Sequence, residues 1–130
     1  MDLQTLRDRH NRIDNLKERI ERLRAAMELG ARQLRVAPAR NAVRNKLEED
    51  MAKLDELERE LIGEIAALEQ EVQDAKQLLE GLPVREQLII RLRYVEGLSW
   101  RRVARKAHYT EKHCLKIHRA ALKRILNDTF

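Results

Sequence analysis

The residues of this chain best suited to chemistry crowd into one stretch. Residues 99–124, S-W-R-R-V-A-R-K-A-H-Y-T-E-K-H-C-L-K-I-H-R-A-A-L-K-R, hold nine Lys and Arg against one acidic residue, Glu111. Three of the four histidines and the only cysteine, Cys114, lie among them. Basic density of this kind suits contact with a polyanion. Cys114 and His118 stand four apart, the spacing of a ligand pair on one helix face. A structural zinc site needs four ligands, however, and no CxxC or HxxxH partner accompanies them, so Cys114 reads as a core residue and no metal or cofactor is expected. There is no Gly-rich phosphate loop, H-E-x-x-H pattern or G-x-S-x-G elbow, so the chain is not expected to be an enzyme. Trp100, Tyr94 and Tyr109 read as core anchors rather than base-stacking platforms. The scarcity of aromatics argues against single-strand binding.

The charge is unevenly spread. The chain of 130 residues carries a formal +5, yet residues 1–80 hold 15 basic and 18 acidic residues while residues 81–130 hold 12 and 4. The basic character therefore belongs to the C-terminal part. Leu, Ala, Glu, Arg and Lys dominate, with only two prolines and four glycines to interrupt them, which predicts an all-α protein. One cysteine excludes an internal disulfide framework and fits a reducing compartment. Charged, heptad-like sequence follows Met1 directly and no window approaches ~18 apolar residues, so a soluble cytoplasmic protein with no membrane partner is expected.

Two long elements precede the basic part. Ile13, Leu16, Ile20, Leu23, Met27, Gly30 and Leu34 recur in three- and four-residue steps, the seam of a coiled-coil helix, and Leu6 extends it backwards by one heptad. Pro38 cannot occupy a helix interior, so this helix should stop near Arg35. A second row runs Val43, Leu47, Met51, Leu54, Leu57, Leu61, Ile65, Leu68, Val72, Ala75, Leu79. Its ten steps cover 36 residues, the period of a straight helix. The expected fold is a long antiparallel helical hairpin over residues 1–80, followed by a small domain over residues 81–130. Such a hairpin has a thin core, so a homodimer or higher oligomer through residues 1–80 is expected. The seam serves equally an oligomerisation stalk or a docking surface for another protein.

After Gly81, Pro83 suits a first helical turn. Leu88, Ile89, Leu92 and Val95 should face inward, with Arg85, Arg91 and Arg93 outside and Gly97 ending the helix. Ser99 caps a short helix from Trp100 to about Lys106, and Thr110 caps the next. The gap Ala107-His108-Tyr109 fits the turn of a helix-turn-helix. With Ala104 at the crossing, the motif's buried positions fall on Val103, Ala107, Tyr109, Cys114 and Ile117. His108 occupies the usual glycine position of the turn. Burying Cys114, Ile117 and Ala121 leaves Glu111, Lys112, Leu115, Lys116 and Arg119 facing outward.

Over about residues 82–126 the chain resembles the promoter-reading region four of bacterial sigma factors. L-P-V-R-E-Q-L-I-I-R-L-R-Y-V-E-G-L-S-W-R-R-V-A is similar to the family's leading helices, and Y-T-E-K-H-C-L-K-I-H-R-A-A-L-K-R-I to its recognition helix and basic tail. Y-V-E-G-L-S-W and H-Y-T resemble most the phage transcriptional regulators of the ArpU and RinA kind. The resemblance implies sequence-specific binding of double-stranded DNA, with the helix from Thr110 entering the major groove. Carried over by residue, it implies base reading by Glu111, Lys112, Leu115 and Lys116. Lysine donates to guanine O6 and N7, glutamate accepts from cytosine N4, and Leu115 packs on a thymine methyl where the family more often has a polar residue. Phosphate contacts would come from Arg101, Arg102, Lys106, His108, Arg119 and Lys123. A phage or prophage regulator in a bacterial host is the leading reading. A small terminase-like packaging protein, or a factor that mainly binds RNA polymerase, are the alternatives.

Overall fold

The computed structural model describes residues 2–128. All regular structure among them is helical: α1 Leu3–Val36, α2 Asn41–Leu79, α3 Val84–Ile90 continued by a π-helical turn Arg91–Val95, α4 Trp100–Ala107 and α5 Glu111–Asp128. None of these helices is long and apolar enough to cross a membrane. α1 stops at Val36, one residue past the expected Arg35. Pro38 forces the break, and the Arg44 guanidinium donates to the Pro38 carbonyl at 2.8 Å. The chain divides into two compact units, Asn11–Ala67 and a second that joins the residues up to His10 with those from Leu68 onward.

In Asn11–Ala67 the two long helices run antiparallel. Arg12 pairs with Glu64 at 3.5 Å and Arg24 with Glu58 at 2.8 Å, the partner number falling as the first rises. Exposed pairs such as Arg24–Glu58 fix register more than they stabilise. The core is Leu16, Ile20 and Leu57, with Leu23, Leu54 and Leu61 packed against it. The seam of α1 faces inward throughout: Ile13, Leu16 and Ile20 are buried and Leu23, Met27, Gly30 and Leu34 half-buried. Gly30 belongs there for a steric reason, since a β-carbon on it would stand 3.1 Å from the Leu47 side chain. The row on α2 is less well covered. Met51 is 61% exposed and Ile65 36%, against the inward position expected of both. A row of period 3.6 is wider than the strip that one partner helix can cover.

The second unit is built around the helix that begins at Val84. One of its faces carries Ile89 and Leu92 into a cluster with Leu98, Val103, Ala104, Cys114 and Ile117. A neighbouring face carries Ile90 and Tyr94 into a cluster with Leu3, Leu6, Ala75, Leu79, Leu82 and Ala121. The expected inward set is therefore corrected at Leu88 and Val95, which are only half-buried; Ile90 is buried in addition, and Tyr94 is buried as a core anchor. Arg93, expected outside, is half-buried. It donates to the Leu98 carbonyl at 3.0 Å and lies over the Trp100 ring at 4.7 Å. The π turn accounts for the changes at Arg93 and Val95. Glu96 N–H bonds to the Arg91 carbonyl five residues back, at 3.0 Å, and this wider turn rotates the residues that follow Ile90.

The start of α1 locks onto this turn. Arg7 donates to the Gly97 carbonyl at 2.7 Å, and His10 Nε2 lies 3.1 Å from both the Tyr94 and Val95 carbonyls. Two acceptors on one ring nitrogen place the proton on Nε2. Arg9 grips Glu71 with two hydrogen bonds, at 2.8 and 2.9 Å. Gly97 makes room for this contact. Its φ is +72°, and a β-carbon there would stand 2.6 Å from the His10 ring. Gly97→Ala should therefore destabilise the protein by about 1–3 kcal/mol in denaturant unfolding. Gly63→Ala, mid-helix with open space around the added methyl, should be neutral or stabilise by roughly 0.5–1 kcal/mol.

Candidate nucleic-acid interface

Each helix of the motif starts on a hydroxyl cap. Ser99 Oγ accepts from Arg102 N–H at 3.4 Å, and Thr110 Oγ1 accepts from His113 N–H at 3.1 Å. These bonds satisfy amides that the first helical turn leaves free. Between the helices His108 adopts the left-handed conformation, φ 60° and ψ 38°. Its N–H and that of Tyr109 both reach the Ala104 carbonyl, closing α4 in the manner of a Schellman end. His108 thus does the work of a turn glycine, at the steric cost of a side chain there.

Ala104 lies at the crossing as expected, and Val103, Cys114 and Ile117 are buried around it. Ala107 is half-buried. Tyr109 departs from the expected core set: it is 37% exposed, with its ring edge-on to His113 at 4.9 Å. The left-handed turn swings the residue after His108 outward, so the ring covers the start of α5 instead. Trp100 anchors the other side, half-buried between the Arg93 guanidinium and the edge of His118, whose ring centre is 4.8 Å away.

Cys114 is free and wholly buried, and desolvation, with a smaller contribution from Glu111, pushes its thiol pKa upward. A thiol held protonated in this way is a poor nucleophile and a poor ligand. His118 Nε2 sits 2.6 Å from the Tyr94 hydroxyl, and the rings stack at 5.6 Å. Burial, then Arg93, then Arg119 lower the His118 pKa. Among the described residues no three of His, Cys, Asp and Glu gather where they could hold a metal ion.

With Cys114, Ile117 and Ala121 held inside, the opposite face of α5 stays in solvent. Glu111, Lys112, Leu115, Lys116 and Arg119 are all exposed there. Lys112, Leu115, Lys116 and Arg119 line one shallow groove along the helix, and Leu115 is 40% exposed at its centre. Arg101 and Arg102 are exposed on the first turn of α4, His108 on the turn, and Lys123 farther along α5. Lys106 is exposed but paired with Glu96 at 3.3 Å. Thr110 and His113 also line the groove. Arg85, by contrast, borders a separate recess with Glu86, His113 and Lys116. There the buried Glu86 carboxylate accepts from Arg124 Nε at 3.1 Å, tying α3 to α5.

His118 gives this unit a pH dependence with a definite sign. Its folded pKa lies below the ordinary histidine value of 6.5, so acid protonates the unfolded chain first. Its contribution to stability is complete above pH ~6.5 and is lost as pH falls through the folded pKa. Thermal unfolding should show the midpoint falling on acidification below pH ~6.5, and His118→Gln should flatten that fall. His108→Gly should raise stability by about 1 kcal/mol by relieving the left-handed strain, with the helical circular dichroism unchanged.

Residues 78–125 match the family model described as Sigma-70, region 4. No match was found among curated proteins or among solved structures. The matched segment spans the helix with the π turn, the capped helix α4 and most of the capped helix α5. Residues 78–125 of this chain are a sigma region-4-like helix-turn-helix, a DNA-binding fold.

Proposed function

We propose that the chain is a sequence-specific regulator of transcription, encoded by a phage or prophage, that places α5 in the major groove of double-stranded DNA. One observation carries this reading. The helix that buries Cys114, Ile117 and Ala121 presents Glu111, Lys112, Leu115 and Lys116 together in solvent, near its capped N-terminus. That is where a recognition helix meets base edges. Lys112 and Lys116 read guanine, Glu111 reads cytosine and Leu115 meets a thymine methyl. Arg101, Arg102, His108, Arg119 and Lys123 hold the phosphates on either side, and Lys106 joins them when it leaves Glu96. The Y-V-E-G-L-S-W and H-Y-T segments, similar to regulators of the ArpU and RinA kind, support the phage assignment. Association through residues 1–80 into a homodimer supplies two reading helices, as a palindromic site requires. A contact with RNA polymerase is compatible with the sigma-like domain.

Selection of bound sequences from a random duplex library, followed by titration of the variants, tests the reading. Lys112→Ala and Lys116→Ala should each cost about 1–3 kcal/mol on the selected site and relax preference at one position. Arg101→Ala should instead weaken all sequences alike and reduce the salt dependence by about one phosphate contact. Unchanged affinity of the two lysine variants for the selected site would sink the groove-reading assignment.

A further inference from the structure

Residues 11–67 carry no net charge, yet their charge is sorted along the helix pair. The tip of the hairpin, residues 29–47, holds Arg32, Arg35, Arg40, Arg44 and Lys46 and no acidic residue. The rest of residues 11–67 holds seven basic residues against twelve acidic ones. A polyanion is therefore attracted at the tip and repelled along the body. At physiological salt each effect reaches only about 8 Å, so the two regions act separately.

All five cations of the tip are exposed. Lys46 is engaged by Asp50, which accepts from it at 2.9 Å and raises its pKa. The arginines are held more loosely. Arg32 and Arg35 share one oxygen of Glu28, at 3.4 and 3.5 Å, and that carboxylate is itself exposed, so it exchanges readily for another anion. Arg44 gives one N–H of its fork to the Pro38 carbonyl, which braces the turn. Among the described residues no carboxylate pairs with Arg40 or Arg44.

Three features point to the partner. Four of the five cations are arginine, whose planar fork pairs with two phosphate oxygens at once. Residues 29–47 hold no aromatic residue, so the tip has no stacking face for unpaired bases. Residues 78–125 of the same chain form a DNA-binding fold, and such a tether keeps duplex phosphate at high effective concentration around the tip. We infer that the hairpin tip is a second DNA-binding surface, on which Arg32, Arg35, Arg40 and Arg44 hold duplex phosphates without reading sequence. This rests on duplex binding by residues 78–125 and adds a contact outside them.

Titration of the full chain on a long duplex of arbitrary sequence, over a range of salt, tests it. Arg32→Gln, Arg35→Gln, Arg40→Gln and Arg44→Gln together should lower the slope of log affinity against log salt by about two to four, close to one for each phosphate lost. Helical circular dichroism and the selected sequence should not change, and lysine at the same four positions should keep most of the slope. The control takes equal charge from the body, by Lys17→Gln, Arg19→Gln, Arg22→Gln and Lys53→Gln, and should alter the slope little. Equal losses in the tip and body variants mean net charge alone and overturn the inference. An unchanged slope in the tip variant also overturns it, as when the arginines serve an acidic protein instead. Lys112→Ala separates this from groove reading: it should relax the selected sequence with or without the tip, and its failure to do so leaves the tip result standing. Two differently labelled duplexes identify the source of the phosphates. Capture of one by the other, lost in the glutamine variant, puts a second duplex on the tip, while a footprint on the selected site that shortens in that variant puts both surfaces on one duplex. Either result sustains the inference, and the absence of both overturns it.

Discussion

Where a β-carbon would sit on Gly97, the ring of His10 already stands 2.6 Å away, and the second unit depends on that close approach. Leu3 and Leu6 reach the cluster of Ile90, Tyr94 and Ala121 only because α1 can lie against this turn. Their burial is worth roughly 1.5–3 kcal/mol for each leucine, as an upper estimate. The same contact finishes the polar accounting. The π turn leaves the carbonyls of Tyr94, Val95 and Gly97 without helical partners, and His10 and Arg7 supply their donors. A glycine that reads in sequence as a helix stop is thus also the socket for a segment nearly ninety residues earlier in the chain.

From that helix the order passes outward to α5. Ile89 and Leu92 pack on Val103, Cys114 and Ile117, while Glu86 takes Arg124. α5 is held along its buried side by apolar contact and near its end by the exposed Arg124 reaching the buried Glu86 carboxylate. The charge-assisted bond fixes rotation about the helix axis, which packing alone would leave looser. Rotation decides which side chains meet solvent, so the groove of Lys112, Leu115, Lys116 and Arg119 follows from the core beneath it. The neutral state favoured for His118 has the same origin. Burial disfavours the charged ring first, and Arg93, drawn inward over Trp100, adds to it.

Much of this was legible in the residues. Ser99 and Thr110 cap where their types predicted, Ala104 sits at the crossing, and Cys114 and Ile117 are buried, because capping and helical periodicity act over a few residues and leave their mark in spacing. His108 in the left-handed turn was readable from the position of the missing glycine. Tyr109 was not, since its exposure depends on how that turn directs the next Cα–Cβ bond. Arg93 and Val95 were misplaced for a related reason: a wider π turn shifts every later residue around the axis, and nothing in R-L-R-Y-V announces it.

The sequence by itself determined an all-helical chain, a break at Pro38, two long amphipathic rows, a basic capped pair of helices and the outward set on α5. Each of these is a local or periodic property, set by propensity, capping or a repeating apolar step. Tertiary structure alone decided that the first turns of α1 belong to the helix-turn-helix unit, that Glu86 is buried against Arg124, and that Met51 and Ile65 stay in solvent. Those outcomes depend on which surfaces meet and on how much of a strip one neighbour can cover. Residue spacing along a single chain carries no record of either.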